Sequence, residues 1–230
     1  MTDKQTIEKK SAGQAAAAYV ENGMTVGLGT GSTVRYTIEK IAERMKAEGL
    51  NIQGVPTSER TRQLAEKLGI PLVSLEDVDA IDVTIDGADE VDSRLNGIKG
   101  GGGALLFEKI VASASKQNIW VVDSQKKVEV LGHFPLPVEV IPFACPTVLR
   151  ALQMENMNPV VRTNETNDYF VTDSGNWIID SHLEKINDPE SLETWLNLIP
   201  GVVENGLFLQ RADLVLVANG DTVHKYERHT

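Results

Sequence analysis

Four clusters of glycines and polar residues, each directly after an apolar or β-prone run, have the residue types and spacing to do chemistry. The first is Gly27-Leu28-Gly29-Thr30-Gly31-Ser32-Thr33. Its glycines let backbone approach an anion, and Ser32 and Thr33, opening the next helix, can both cap it and donate to phosphate oxygens. It is not a P-loop, because no Lys precedes Ser32 or Thr33. Nor does it fit the dinucleotide fingerprint, since Ser32 replaces the third glycine and the next strand ends in Pro56-Thr57-Ser58 rather than in a ribose-binding acid. A plain tight turn needs neither three glycines nor three hydroxyls.

The second cluster, Asp86-Gly87-Ala88-Asp89-Glu90-Val91-Asp92, crowds carboxylates at the mouth of a strand. Such crowding raises at least one pKa toward the acid–base range. Asp86 and Asp89 are the candidates for chemistry, whereas Glu90 and Asp92 read as a solvated acidic turn. The spacing is not that of an EF-hand; no metal and no cofactor are expected, with a magnesium ion on this loop as the alternative. The third cluster, Lys99-Gly100-Gly101-Gly102-Gly103, leads into a helix bearing Glu108. Four glycines carry a large ordering cost, which close approach to a ligand explains better than packing does. By spacing alone Glu108 reads as a surface glutamate favoured by the helix dipole. In the fourth cluster, Asp123-Ser124-Gln125-Lys126-Lys127, one lysine is placed to reach a phosphate or another substrate oxygen.

The elements that must position these clusters follow an alternating rhythm up to Leu131. Helices are predicted over Lys4–Val20, Ser32–Ala47, Thr57–Leu68 and Ala104–Lys116. Strands are predicted over Met24–Leu28, Ile52–Pro56, Pro71–Ser74, Ile81–Asp86 and Asn118–Asp123. This is the pattern of βαβ units on a parallel sheet, in which ligands bind beyond the carboxyl ends of the strands. After Leu131 the order becomes βαββαβ: a strand Leu136–Ile141, a helix Pro146–Glu155, and a strand from Val160. A hairpin of Tyr169–Thr172 with Trp177–Asp180, a helix from Asp188 to Leu198 and a strand Val202–Leu209 complete it. Leu214–Ala218 reads as a buried strand returning to the first sheet. The expected architecture is α/β: a Rossmann-like parallel-sheet domain (1–131 and 210–230) with an inserted ferredoxin-like α+β domain (132–209).

Bulk properties narrow the classes. The 230 residues carry a formal charge of -11, which argues against a nucleic-acid surface and requires any phosphate site to be built from local amides and a few lysines. One cysteine, Cys145, rules out an intrachain disulfide and a multi-cysteine zinc site. No apolar run reaches the length of a membrane span, and Met1–Ser11 is polar where a secretion signal would be apolar, so a cytoplasmic protein is expected.

Together the segments GLGTGST (27–33), DGADEVD (86–92), KGGGGALLFEKIVA (99–112), FPLPVEVIP (134–142) and IPGVVENGLF (199–208) resemble ribose-5-phosphate isomerase of the A type, in order and over nearly the whole chain. The resemblance implies conversion of an aldose phosphate to a ketose phosphate through an enediol, with Glu108 as general base. It implies substrate-binding loops at Thr30, Gly31, Ser32 and Thr33, at Asp86, Gly87, Ala88 and Asp89, and at Lys99, Gly100, Gly101 and Gly102. Lys126 would contact substrate, and Lys9 would lie near the phosphate. Lys99 and the amides of Gly100 to Gly102 would stabilise the oxyanion, and Asp86 or Asp89 would assist ring opening. A homodimer or tetramer is also implied. The loop Thr57-Ser58-Glu59-Arg60 and the end His224–Thr230 depart from the family pattern. Two other readings compete: a sugar-phosphate sensor without turnover, for which no attached DNA-binding segment is seen, and a coenzyme A transferase subunit with a nucleophilic glutamate.

Overall fold

The computed structural model describes residues 3–228; the last two residues of the atypical C-terminal end lie outside the described residues. A long helix α1 (Asp3–Ala16) is followed by β1 (Thr25–Leu28), α2 (Val34–Glu48), β2 (Gln53–Pro56), α3 (Glu59–Leu68) and β3 (Val83–Gly87). Then come two short strands, β4 (Glu90–Val91) and β5 (Gly97–Ile98), helix α4 (Leu105–Ser113) and β6 (Asn118–Asp123). The chain continues through β7 (Leu136–Val140), α5 (Cys145–Met154), β8 (Pro159–Val161), β9 (Trp177–Ser181), α6 (Pro189–Asn197) and β10 (Val202–Asn205). It closes with β11 (Leu207–Phe208), β12 (Leu214–Asn219) and β13 (Thr222–Glu227).

The central sheet has the order β13-β12-β6-β3-β1-β2, parallel except for the β12–β13 hairpin. Its inner strands are buried on both faces, as a parallel sheet covered on both sides requires. The period of two is visible in β6. Ile119 and Val121 join Ala12, Ala16, Ile38 and Ile41 of α1 and α2 in one core, while Trp120 and Val122 pack with Leu105 and Phe208 on the opposite face. Three neighbouring strands, β1, β3 and β6, therefore end side by side, and three of the four polar clusters emerge from those ends.

The second sheet, β10-β7-β9-β8, is antiparallel throughout, and its βαββαβ order matches the ferredoxin-like expectation. Val148, Leu152 and Leu196 from α5 and α6 pack on Leu136, Val138, Val140 and Ile179. Asp188 caps α6 as expected, its carboxylate accepting from Ser191 N at 3.1 Å.

Three expected strands differ. Pro71–Ser74 forms only a single parallel bridge, Leu72 to Gly54. Tyr169–Thr172 does not pair with Trp177–Asp180, because β9 is already flanked by β7 and β8. The turn residues do close a turn, with Gly175 N donating to Thr172 O and Thr172 N to Asn176 O, both at 2.9 Å. Val202–Leu209 is not one strand: β10 pairs with β7, whereas β11 pairs with β5 in a separate three-stranded sheet, β11-β5-β4. The break falls at Gly206, whose carbonyl accepts from Lys99 N at 2.9 Å and where a Cβ would stand 2.5 Å from Lys99 O.

Candidate active site

The loops after β1, β3 and β6 and the glycine loop before α4 enclose a cavity of about 140 Å³. Its walls carry Thr30, Gly31, Ser32 and Thr33, then Gly87, Ala88 and Asp89, then Lys99, Gly100, Gly102, Glu108 and Lys126, with Lys9 reaching in from α1. Of the expected site residues, Asp86 and Gly101 do not line it; they act on neighbours that do.

Glu108 is the centre of the charge arrangement. It lies in the first turn of α4 and is only 4 % exposed, so it is not the surface glutamate that spacing alone suggested. One carboxylate oxygen, Oε2, lies 3.5 Å from Lys99 Nζ yet makes no hydrogen bond. Burial pushes its carboxyl up to about 8, with the charges of Asp86 and Asp89 adding to the rise and Lys99 opposing it. Lys99, 2 % exposed, is held by Asp86 Oδ2 at 2.9 Å and by the carbonyl of Gly87 at 2.5 Å. Burial disfavours its charge, but the carboxylates of Asp86 and Glu108 outweigh that and hold its pKa above the ordinary lysine value.

Asp86 is fully engaged. Its Oδ1 accepts from Thr30 N at 2.9 Å and from Gly87 N at 2.8 Å, and its Oδ2 pairs with Lys99. A Cβ on Gly29 would lie 2.2 Å from Asp86 Oδ1 and 2.6 Å from its Cα. The expected outcome for Gly29→Ala is a loss of about 1–3 kcal/mol in unfolding free energy, measurable by urea denaturation. Asp89 is half-buried, lines the cavity, and accepts from Gly101 N at 2.8 Å.

Several sequence expectations change here. Thr33 at the start of α2 makes no side-chain cap, and Thr30 points its hydroxyl into a buried network with Thr57 (2.8 Å), Ser58 (2.7 Å) and Thr61 (3.2 Å). Thr30 therefore holds the two loops together with its side chain, and Thr57-Ser58, which looked atypical, belongs to that structure. Glu90 and Asp92 are not solvated: they are 3 % and 6 % exposed. Glu90 accepts from Gly132 N and Phe134 N at 2.7 and 2.6 Å, and Asp92 accepts from Arg94 N and Asn96 N at 2.8 and 2.9 Å. The glycine run is partly a packing requirement. Cβ atoms on Gly101 and Gly103 would come within 2.7 Å of Asp89 and 2.4 Å of Phe170, and Gly100 has φ of 106°. The amide of Gly101 is taken by Asp89, which leaves those of Gly100 and Gly102 as the loop's candidate donors.

Lys9 Nζ, also lining the cavity, lies 3.0 Å from Ser32 Oγ. Helix α1 is fixed there by buried Glu8, whose carboxylate accepts from Ser124 N and Gly220 N at 3.2 and 3.0 Å. Lys126 stands over the Phe134 ring, 5.5 Å from its centroid. Two lysines, hydroxyls and the amino end of α2 thus line the cavity, an arrangement that suits an anion. Residues that the sequence did not single out are Arg162 and Asp180, joined by a two-point ion pair, with Arg162 also reaching the carbonyls of the glycine loop. Among the described residues, no group of three or more His, Cys, Asp and Glu side chains could hold a metal ion, and no helix is long and apolar enough to cross a membrane.

The sequence profile described as Ribose 5-phosphate isomerase A (phosphoriboisomerase A) matches residues 53–222. A ribose-5-phosphate isomerase A of Lacticaseibacillus paracasei is 56% identical over 209 residues, which cover 91% of either chain. A solved D-ribose-5-phosphate isomerase in complex with phospho-erythronic acid superposes with a TM-score of 0.94 at 43% identity, covering 99% of this chain and 100% of the other. For ribose 5-phosphate isomerase A of Methanocaldococcus jannaschii the TM-score is 0.91 at 41% identity, with 95% and 97% covered.

Proposed function

The chain belongs to the ribose 5-phosphate isomerase A family and interconverts D-ribose 5-phosphate and D-ribulose 5-phosphate, and we propose that Glu108 is the general base that moves the proton between C1 and C2 through an enediol. The observation that carries this reading is the buried Glu108 carboxylate, unbonded at Oε2 and facing the cavity beside Lys99. In the ring-opened aldose the carboxylate removes the C2 proton and the carbonyl oxygen at C1 gains the negative charge; the proton of the C2 hydroxyl then passes to that oxygen, and the same carboxylate returns its proton to C1 as the C2 carbonyl forms. Lys99 and the amides of Gly100 and Gly102 stabilise that oxyanion.

Ring opening falls to Asp89 in this reading. Asp86 has both oxygens committed, to two amides and to Lys99, so it serves as the fixed partner of the lysine. Asp89 lines the cavity and is constrained only at Oδ2. Lys9, Ser32, Thr33 and Lys126, which line the same cavity, take the phosphate.

The division into a catalytic domain (1–131 and 210–230) and an inserted domain (132–209) belongs to the same proposal, supported by the core between the central sheet and helices α1 and α2, which takes no residue from 132–209; Ile178 and Phe208 nevertheless pack with Leu105 and Trp120 across the division. So do a cytoplasmic location, a homo-oligomeric state and a place in the non-oxidative pentose phosphate pathway. The test is a coupled assay of ribose 5-phosphate conversion by the purified protein with and without exhaustive chelation. The expected outcome is an unchanged rate; a rate restored only by added magnesium would make the 86–92 loop a metal site instead.

A further inference from the structure

The guanidinium of Arg162, at the end of β8, reaches across to the glycine loop of the other sheet. Its Nη1 donates to the carbonyl of Gly100 at 2.9 Å and to that of Gly101 at 3.3 Å. Its Nε and Nη2 form a fork on Asp180, at 2.8 and 2.5 Å, with both side chains largely buried at 14% and 18% exposure. The same guanidinium lies 5.7 Å from the centroid of Phe170, whose ring fills the space beside Gly103. Every nitrogen of the fork is thus in use, and the charge is neutralised by a carboxylate outside the cavity, so Arg162 is not a phosphate ligand.

What it holds is two consecutive peptide planes. In a trans peptide the C=O and the following N–H point in opposite directions, and no cis bond is present among the described residues. The first plane, Gly100–Gly101, is pinned at both ends, its carbonyl by Arg162 and, at 3.0 Å, by the N–H of Gly103, and its N–H by Asp89. In the second, Gly101–Gly102, Arg162 holds the carbonyl, which turns the N–H of Gly102 away from Arg162, and Gly102 lines the cavity. The first plane is thus also held by the loop's own Gly103-to-Gly100 bond, whereas glycines have little preference of their own for the orientation of the second.

We propose that Arg162, itself oriented by Asp180, is a positioning residue for the isomerisation: it sets the Gly101–Gly102 peptide so that the Gly102 amide faces the substrate oxyanion. The inference rests on the reading of the loop amides as oxyanion donors. The charge it depends on comes from the second sheet, so the ferredoxin-like unit takes part in forming the catalytic loop.

The experiment compares Arg162→Met, Arg162→Lys and Asp180→Asn with wild type, and runs Glu108→Gln beside them. A donor aimed at charge that develops only in the transition state acts on kcat more than on KM. Arg162→Met is expected to lower kcat about 10-fold or more with KM changed less than about threefold, short of the roughly 10²-fold or greater cost of losing an oxyanion donor outright, because the amide is misaimed and not removed. Arg162→Lys keeps the charge but not the fork, and is expected to stay impaired in kcat. In nitrogen-15 labelled protein the Gly102 amide resonance is expected to move in these variants while that of Gly54, in β2, stays in place. Should Arg162→Met fail to fold, Asp180→Asn carries the same test, with a kcat reduction and the same Gly102 shift expected. Wild-type kcat in the folded variants, or equal losses in kcat and binding with an unmoved Gly102 resonance, would overturn the proposal. The two levels separate cleanly: an active Glu108→Gln removes the assignment of the base, whereas an inactive Glu108→Gln beside a normal Arg162→Met removes only the role of Arg162.

Discussion

Glu108→Gln is expected to cut turnover by roughly 10²–10⁴-fold, the usual contribution of a positioned general base, while ribose 5-phosphate still binds with near wild-type affinity by calorimetry. The glutamine keeps the volume and polarity of the side chain but cannot accept the C2 proton. The wild-type pH profile supplies an internal check. Burial first, and then the charges of Asp86 and Asp89, against the opposing pull of Lys99, place the carboxyl at about 8, so the free enzyme loses its base as pH falls below that value. The kcat/KM of the wild type is expected to rise through this region toward alkaline pH, and the residual rate of Glu108→Gln to lack that limb. The sign for stability runs the other way. A carboxyl raised above its unfolded value of 4.5 contributes fully below that value, and the contribution is lost as pH rises through about 8. Glu108→Gln should therefore gain in thermal midpoint relative to wild type between pH 5 and pH 9. Near-normal turnover in the glutamine variant would end the assignment.

Lys99→Met is expected to do more damage to the molecule as a whole. Lys99 is the cation beside both Asp86 and Glu108, at 2.9 and 3.5 Å, and it also donates to the carbonyl of Gly87. Removing one member of a buried charge group leaves its partners uncompensated, at a cost of about 3–5 kcal/mol. The remaining carboxylates then repel each other without relief, so the Glu108 carboxyl moves further upward, and an oxyanion donor is lost, a change that lowers turnover by on the order of 10² or more. Urea titration and steady-state kinetics read the two effects separately, and the acid limb of any residual activity is expected above that of wild type. A variant of unchanged stability would show that the lysine is not the cation neutralising this cluster.

The sequence made the framework legible because its signals were local. Clusters of polar residues after apolar runs, the first two with glycines, marked the carboxyl ends of β1, β3 and β6, and the βαββαβ rhythm marked the second sheet. Burial was harder to read. Glu108, Glu90 and Asp92 all look like exposed acids in a linear chain, and only the loops folded over them, at Lys99, Gly132–Phe134 and Asn96, take them out of water. What distinguishes Asp86 from Asp89 is likewise invisible in the chain, because the Thr30 amide that, with that of Gly87, occupies Asp86 comes from a loop 56 positions away. Arg162 was unreadable for a related reason: it lies 61 and 62 positions from the carbonyls that it holds, with no periodicity linking them. The split of Val202–Leu209 falls at Asn205-Gly206, a pair disfavoured inside strands, where the close approach of Lys99 leaves no room for a Cβ and the chain passes from one sheet to another.

That split bears on attempts to pare the enzyme down or to exchange its parts. A deletion of 132–209 would carry away β11, and with it the Phe208 ring that lies under the ammonium groups of both Lys99 and Lys109, at 5.2 and 4.8 Å. Lys109 would also be stripped of Glu204 and the Asn205 carbonyl, the acceptors that tether α4. A chimera built by swapping this segment between relatives therefore has to keep Gly206 to Phe208 with the recipient's own β5, with its joint placed before the glycine rather than after the strand.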